Sequence, residues 1–184
     1  MKTLIVYSTT DGHTMRICQR IDTVLTERGH AVTLVPLLPL LRDMALLHFD
    51  RIVVGASIRY GHHRPEVLEF LQTYKDVLQQ RPTALFSVNV VARKPGKNTP
   101  ATNPYTKKLL RRMGWTPALV DVFAGKLDYP RYPFWDRQII RGIMLLTHGP
   151  TDPKAVVEFT DWARVDAFAR AVDKLAIHHD ASPH

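Results

Sequence analysis

The sequence predicts an α/β fold in which a five-stranded parallel sheet of strand order 2-1-3-4-5 lies between two layers of helices. Short apolar runs alternate along the chain with stretches whose apolar residues recur at helical spacing. One run, residues 51–56, is almost continuously apolar, as expected of a strand buried on both faces of a parallel sheet. Residues 126–159 separate the fifth strand from the last helix, and we interpret them as an insertion because a minimal fold needs only a handful of residues there.

The composition indicates one domain with an anionic partner. A chain of 184 residues is long enough to bury one core, so we predict a single domain over residues 1–177 and a short tail at 178–184. The excess of 25 Lys and Arg over 17 Asp and Glu gives a net charge of +8, which attracts phosphate groups, anionic lipids or anionic small molecules. No helix-turn-helix, zinc-finger or RNP pattern is visible, so we expect no nucleic-acid partner.

The cysteine and histidine content argues against a disulfide or a metal site. Cys18 is the single cysteine, which excludes an internal disulfide and favours a reducing, cytoplasmic compartment. Residues 1–30 show no charged segment followed by an apolar block, and no apolar run approaches the ~18 residues of a membrane span. The tail histidines His178, His179 and His184 have no acidic or cysteine partners at ligand spacing, so we predict no metal.

The first strand, loop and helix form a predicted anion site. An apolar run at residues 4–7 enters a hydroxyl-rich turn, and apolar residues at helical spacing follow from Ile17 onwards. This order brings backbone N–H groups, the hydroxyls of Thr9, Thr10 and Thr14 and the positive end of a helix around one point, as a phosphate monoester requires. A dinucleotide fingerprint would need three glycines, and only Gly12 is present. The alternative is that the hydroxyls only cap the helix.

Residues 5–14 resemble the phosphate loop of the flavodoxins, which holds the phosphate of FMN without any Lys or Arg. Two positions depart from the family pattern. Cys18 stands where alanine is usual, and Asp11 stands where most flavodoxins have a hydroxyl or glycine, so its carboxylate is expected to point away from a phosphate. The resemblance implies FMN as the cofactor. It also implies a first binding segment that consists of Ser8, Thr9, Thr10, Asp11, Gly12, His13 and Thr14.

The chain then returns to the sheet twice. Arg28 and Gly29 end the first helix, and residues 31–35 form the second strand. Pro36 and Pro39 begin a leucine-rich connection that runs to Leu47, where we expect a short helix on one face of the sheet. The third strand, residues 51–56, follows.

The loop at residues 57–63 follows the third strand, so it is expected beside the first loop at the switch point of the sheet. The resemblance implies a second cofactor-binding segment here, with an aromatic ring over one face of the flavin. That segment consists of Ser57, Ile58, Arg59, Tyr60 and Gly61. His62 is the candidate catalytic residue near the reacting edge. The alternative is that His62 and His63 are solvated loop residues before a helix that begins at Pro65.

A third cofactor segment is expected after the fourth strand. A helix over 65–79 and a strand over 82–88 precede it. Flavodoxins wrap the isoalloxazine ring at this exit, and backbone groups here are expected to bond its pyrimidine edge. The segment consists of Ser87, Val88, Asn89, Val90, Val91 and Ala92. Arg93, Lys94 and Lys97 follow where many flavodoxins carry aromatic and acidic residues, and they favour an anionic flavin or substrate unless the loop is a solvated basic surface.

The remaining elements complete the sheet. A helix begins at Asn103 and Pro104 and ends at Gly114. Residues 118–124 form the fifth strand, and the last helix opens at Thr160 and Asp161.

The insertion contains a helix of unusual composition. Trp135, Ile139, Ile143 and Leu146 share one helical face, while Arg137 and Arg141 lie elsewhere around the turn. A basic helix with an aromatic end and an aliphatic face is typical of a segment that lies in a membrane interface, with arginines at the headgroups. The alternative is that the same face packs on the sheet edge or on a second copy of the chain, as a homo-oligomer would.

Over nearly its whole length the chain resembles the flavodoxin-like, menaquinone-dependent protoporphyrinogen oxidases (dehydrogenases) of bacterial haem biosynthesis. The likeness lies in residues 8–12, 55–62, 87–89, 91–95, 129–132 and 160–162, and the 55–62 and 91–95 stretches are more specific than the phosphate loop. It implies a flavodoxin-like three-layer sandwich that oxidises protoporphyrinogen IX to protoporphyrin IX. Electrons would pass through FMN to a membrane quinone, menaquinone or ubiquinone, in a protein peripheral to the inner face of the cell membrane.

A porphyrinogen carries two propionates, so basic residues near the flavin are expected to bind it. The candidates are Arg59, Arg93, Lys94, Lys97 and Arg131. Two other functions fit the same fold. One is an NAD(P)H-dependent quinone reductase, and the other is a flavodoxin-like electron carrier with no substrate of its own. The basic surface and the insertion count against the electron carrier.

Overall fold

A computed structural model of the protein describes residues 1–37 and 46–175. Part of the predicted leucine-rich connection, including Pro39, lies outside the described residues. The tail with His178, His179 and His184 lies outside them as well.

Five parallel strands form the main sheet. They are β1 (Lys2–Ser8), β2 (Ala31–Pro36), β3 (Arg51–Arg59), β5 (Thr83–Asn89) and β6 (Leu119–Ala124), with the two-residue strand β4 (His62–His63) between β3 and β5 in the chain. Their order is β2-β1-β3-β5-β6, and β4 pairs with β3 alone. The predicted order 2-1-3-4-5 is therefore confirmed for the five long strands.

The chain has helices on both faces of this sheet and a further helix in the insertion. They are α1 (His13–Glu27), α2 (Pro65–Thr73), α3 (Lys75–Gln80), α4 (Pro104–Met113), α5 (Phe134–Leu146) and α6 (Trp162–Asp173). The helix predicted over 65–79 is two helices, because the backbone leaves helical geometry at Tyr74. Asn103 caps α4 by accepting bonds from two backbone amides, and Gly114 ends it with φ +73°, as predicted.

The core consists of two apolar layers, one on each side of the sheet. Helices α1 and α6 enclose one layer, and α2, α3 and α4 enclose the other. The α1 layer is tight at Gly55, where a Cβ would lie 2.5 Å from Phe86 Cζ and 3.1 Å from Cys18 Sγ. Only glycine allows the helix to approach the central strand this closely.

The segment predicted as a loop at 57–63 is instead a hairpin, which corrects that prediction. β3 continues through Arg59 and pairs antiparallel with β4, Ile58 opposite His63 and Arg59 opposite His62. The two-residue turn between them has positive φ at both Tyr60 (+50°) and Gly61 (+79°). This is the turn geometry that matches the twist of paired antiparallel strands, although a tyrosine rarely adopts it.

The insertion forms a small unit of its own beside the sheet. β7 (Lys126–Asp128) pairs antiparallel with β8 (Val156–Glu158), and α5 lies between them in the chain. Met144 of α5 packs with Leu127, Tyr129 and Tyr132 in a third apolar cluster. Within the described residues, no helix has the length and apolar character needed to cross a membrane.

Candidate functional site

A cavity opens at the carboxyl ends of the parallel strands, where the predicted cofactor loops meet. We call it the cofactor cavity. Its walls are Thr9, Thr10, Asp11, His13, Thr14, Ser57, Ile58, Val88, Asn89, Val90, Gly125, Lys126, Asp128, Arg131 and Tyr132. Ligands of open α/β sheets bind at this edge because successive loops diverge there and leave a crevice.

The phosphate loop leaves its amides and hydroxyls available to a ligand. The N-cap of α1 is Gly12, at φ +80°, and no side chain caps the first turn of the helix. Thr9 Oγ1 accepts a bond from the Gly12 amide at 3.0 Å, so the hydroxyl hydrogen of Thr9 is free to donate. The hydroxyls therefore do not serve mainly as helix caps, which was the alternative interpretation.

His13 is held in one tautomer by its neighbours. The Thr160 hydroxyl donates to the Ala124 carbonyl at 2.8 Å, so its only hydrogen is used. The 2.6 Å contact between Thr160 Oγ1 and His13 Nε2 then requires the imidazole to donate. Burial lowers the pKa of His13, which favours the neutral ring. Nδ1 is consequently an acceptor, and it is buried without a hydrogen-bond partner among the described residues.

Two orphaned polar atoms test whether FMN fits here. His13 Nδ1 and Ser57 Oγ are both buried and unpartnered in the described part of the chain, and both residues line the cofactor cavity. Buried polar atoms are nearly always hydrogen-bonded in a complete structure. The ribityl hydroxyls and phosphate oxygens of FMN are the kind of groups that would satisfy them, so the residues present fit the cofactor.

Arg59 connects the phosphate loop, the hairpin and the insertion. Its guanidinium bonds the Asp11 carboxylate at 2.9 and 3.1 Å and also pairs with Asp136 in the first turn of α5. The same group lies over the rings of Tyr60 and Tyr132, at 5.2 and 5.6 Å from their centroids. The Asp11 carboxylate is thus neutralised by Arg59, as is needed for an acid in a phosphate loop.

A buried polar network supports the exit of β5. Asn89 and Asn103 exchange amide hydrogen bonds, and Asn89 Oδ1 also accepts from the Ala92 amide at 3.0 Å. His63 Nε2 lies 3.0 Å from Ser87 Oγ, and burial lowers the pKa of His63 to about 4. The turn of 3₁₀ helix at Val90–Arg93 is therefore capped by Asn89, whose side chain is held by Asn103 at the start of α4.

A second cavity, which we call the slot, adjoins the cofactor cavity on the insertion side. Asp11, Ile58, Asn89, Val90, Lys126 and Tyr132 line both of them. The slot alone is also lined by Arg59, Tyr60, Gly61, Val91, Tyr105, Leu127, Ile140, Ile143 and Met144. Its walls are mostly apolar, and α5 forms one side.

The structure brings most predicted cofactor residues to these two cavities. Ten line the cofactor cavity: Thr9, Thr10, Asp11, His13, Thr14, Ser57, Ile58, Val88, Asn89 and Val90. The slot adds Arg59, Tyr60, Gly61 and Val91. Four line neither of them, namely Ser8, Gly12, Ser87 and Ala92. Three of those four, Ser8, Ser87 and Ala92, are buried beneath the loops.

The predicted catalytic and substrate residues are more dispersed. His62 is exposed on β4 and lines a third cavity on the far side of the hairpin. Arg59 is engaged by two carboxylates, and Arg93 donates to the carbonyls of Val90 and Thr147 at 3.0 and 3.1 Å. Arg131 lines the cofactor cavity, and Lys97 is exposed.

Sequence reasoning missed most of the residues that the insertion and its flanking residues contribute to the cofactor cavity. Gly125, Lys126, Asp128 and Tyr132 all line it, and Thr160 orients His13. A signal was present, because Gly125 directly follows the fifth strand and so had to lie at the same edge as the other loops.

Comparisons with known proteins agree with this architecture. A family model described as a flavodoxin domain matches residues 4–154. Oxidised flavodoxin 1 from Bacillus cereus superposes with a TM-score of 0.54 at 15% identity, over 95% of this chain and 98% of that one. Flavodoxin 2 from Bacillus cereus gives 0.54 at 19% identity, over 95% and 99%. These likenesses confirm the flavodoxin-like fold, and the flavodoxin domain indicates FMN as the cofactor.

Full-length relatives are more similar in sequence. The protoporphyrinogen IX dehydrogenase (quinone) of Escherichia coli K12 is 42% identical, over 95% of this chain and 96% of that protein. The protein of the same name from Leishmania major is 43% identical, over 91% of this chain and 73% of that protein. The predicted oxidoreductase class is thereby confirmed. The chain belongs to the flavodoxin domain family and, within it, to the family of the quinone-linked protoporphyrinogen IX dehydrogenases.

Proposed function

We propose that this protein uses FMN to oxidise protoporphyrinogen IX to protoporphyrin IX and passes the electrons to a membrane quinone. One observation carries the proposal: a polar cavity with unpartnered buried acceptors opens directly into an apolar slot beneath an exposed apolar helix. The polar cavity would suit a flavin, the apolar slot a lipid-soluble macrocycle, and the exposed apolar helix a membrane surface. The names of the relatives point to the same substrates.

The first loop and the start of the insertion would hold the cofactor. Thr9, Thr10 and Thr14 would donate to the phosphate together with the amides at the start of α1. His13 Nδ1 and Ser57 would bond ribityl hydroxyls. The backbone of residues 87–92 and the ring of Tyr60 would enclose the isoalloxazine. When bound, FMN supplies the two-electron chemistry that no side chain of this protein can perform.

The slot would bring the macrocycle against the flavin and exclude water. Tyr60, Tyr105, Ile140 and Met144 supply its apolar surface, and Arg59 is neutralised by Asp11 and Asp136. A site with few free charges suits the transfer of a hydride equivalent, since water is kept from the reacting carbon. His62 remains the predicted acid–base residue, although it lies beyond the hairpin turn and would act at the outer edge of the macrocycle.

The insertion helix would dock on the membrane surface. Five apolar side chains of α5 are more than half exposed: Phe134 (61%), Trp135 (75%), Ile139 (51%), Leu145 (71%) and Leu146 (82%). Such a patch is the chemical match of the lipid interface. The arginines expected at the headgroups are engaged elsewhere, because Arg137 donates to the Tyr132 carbonyl and Arg141 to the Thr151 carbonyl. Docking would therefore depend on the apolar face.

The test is an anaerobic reaction of the purified protein. We expect the visible flavin absorbance to bleach on addition of protoporphyrinogen IX and to return on addition of menaquinone or ubiquinone. Bleaching by NADPH without bleaching by porphyrinogen would favour the quinone reductase instead. A protein that turns over neither donor would be an electron carrier.

A further inference from the structure

A third cavity lies on the far side of the hairpin turn and differs from the other two in charge. We call it the cationic cavity. Arg64, Lys108 and Arg112 line it together with His62, and its volume is about 270 Å³. Gly61 and Tyr105 line both this cavity and the slot. The cationic cavity and the slot are therefore neighbours that meet at these two residues.

Two of the three Lys and Arg side chains in this cavity have no partner in the part of the chain that the structure describes. In the described ranges, no hydrogen-bond or ion-pair partner of the Lys108 or Arg112 side chain is present. Arg64 uses its Nε to bond Glu66 at 2.7 Å. Lys108 and Arg112 are four residues apart on α4, so they lie on the same face and repel each other. An anion between them would relieve that repulsion.

The residues that line the cationic cavity limit the kind of anion that it can bind. Pro65, Leu68 and Leu109 form the apolar part of the wall, beside the phenol ring of Tyr105. A Cβ on Gly61 would be in ordinary van der Waals contact with the Tyr105 ring, 3.8 Å from one of its carbons, so the hairpin turn lies close to this phenol. Basic side chains beside an apolar wall suit a short aliphatic chain that ends in an anionic group.

We propose that the cationic cavity binds the propionate carboxylates of the porphyrinogen while the macrocycle occupies the slot. This assignment rests on the proposed function. Carboxylates form short, charge-assisted hydrogen bonds with Lys and Arg. No carboxylate of residues 1–37 or 46–175 pairs with Lys108 or Arg112. Arg59 and Arg93, which the sequence suggested for this role, are already engaged by protein groups. Arg112 and Lys108 replace them as the specificity-determining residues.

The test compares two pairs of charges on the same helix. The variant Lys108→Ala with Arg112→Ala removes the cavity cations, and the control Lys107→Ala with Arg111→Ala removes the same charge from exposed positions that do not line the cavity. Each holoenzyme is assayed with protoporphyrinogen IX and with its dimethyl ester. Binding of protoporphyrin IX and its dimethyl ester in detergent is followed by fluorescence, which requires no turnover.

For the cavity variant we expect KM for the free acid to rise about tenfold or more, with kcat and flavin content little changed. Affinity for protoporphyrin IX should fall by a similar factor, whereas values for the esters should stay within about twofold. The control pair should behave as the unmodified enzyme. An equal loss for acid and ester, or equal losses in both variants, would overturn the assignment. So would an unchanged KM in the cavity variant. A wild-type enzyme that does not oxidise protoporphyrinogen would instead refute the proposed function.

Discussion

Arg59 in the β3–β4 hairpin forms an ion pair with Asp136 in the first turn of α5, across 77 residues of sequence. Both side chains are mostly shielded from solvent, at 20% and 27% exposed. Through Asp11 the same guanidinium reaches the phosphate loop. Arg59 thus ties the first turn of the insertion helix to the cofactor loops, and Arg93 bonds Thr147 at its other end. The helix nevertheless leaves most of its apolar face uncovered.

Replacing Asp136 by Asn should loosen α5 without emptying the cofactor cavity. Loss of this ion pair removes a tie between α5 and the hairpin, so local opening of α5 should become a few times more frequent. Hydrogen exchange of the α5 amides measures this directly. Asp136 does not line the cofactor cavity, so flavin content should not change.

The matched control for this variant is Lys154→Ala. Lys154 is exposed in the same insertion, and among the described residues its side chain has no hydrogen-bond or ion-pair partner. Exchange in α5 that is equally fast in the two variants, or unchanged in Asp136→Asn, would show that Arg59 does not hold the helix.

His63 should make the protein less stable in mild acid. Its folded pKa is lowered to about 4 by burial, from 6.5, so the unfolded chain takes up a proton first as the pH falls. The contribution of neutral His63 to the free energy of unfolding is therefore fully present above pH 6.5 and is lost as the pH falls towards about 4. Between pH 7 and pH 5 this one group should reduce the free energy of unfolding by about 2 kcal/mol. Urea unfolding at the two pH values measures the difference.

The neighbouring histidine provides the comparison. His63→Gln removes the titrating group and can still bond Ser87, so the loss between pH 7 and pH 5 should shrink by about 2 kcal/mol relative to wild type. His62→Gln, one residue earlier and exposed, should leave the wild-type pH dependence in place. Identical pH dependence in His63→Gln and wild type would mean that the buried imidazole does not cause the loss of stability in mild acid.

The sequence was sufficient for the elements that hydrophobic periodicity defines. The continuous apolar run at 51–56 predicted a buried strand, and the apolar residues at helical spacing from Ile17 onwards predicted α1. The end of α4 at Gly114 followed from the same local rules. The insertion helix was predicted within its observed bounds, Phe134–Leu146, because its composition is strongly patterned.

The features that were missed depend on tertiary contacts. The hairpin at Tyr60 contradicts local preference, because a tyrosine at positive φ is held by the pairing of β3 with β4. The break between α2 and α3 at Tyr74 could not be predicted from the sequence, because no glycine or proline is present there. The engagement of Arg93 is set by Thr147, 54 residues away, so no short-range pattern distinguishes Arg93 from a free cation.

The phosphate loop should lose FMN when its hydroxyls are removed. Thr9→Ala with Thr14→Ala removes two donors from the cofactor cavity. A hydrogen bond to a charged group is worth about 1.5–3 kcal/mol, so the dissociation constant should rise at least about a hundredfold. The protein should be purified with little flavin, and titration of the apoprotein with FMN gives the affinity.

Thr23→Ala is the control, because Thr23 is exposed on α1 and its hydroxyl only bonds Gln19. Unchanged flavin content in the double variant would contradict the proposed cradle.

Changing Ile139 and Ile143 to Asp should abolish binding to anionic liposomes while flavin content stays intact. Ile139 is 51% exposed, and Ile143, which also lines the slot, is 38% exposed, so neither substitution places a charge in the buried core. In a lipid interface each would replace a buried aliphatic group by a charge, and the partition coefficient should fall at least about a hundredfold. Co-sedimentation measures it. Leu47→Asp is the control, because Leu47 is 57% exposed but lies just before β3, at the sheet edge opposite the cofactor cavity. Should the double variant still sediment with liposomes, α5 does not contact lipid, and a change in its mass in solution would assign the same face to a second copy of the chain.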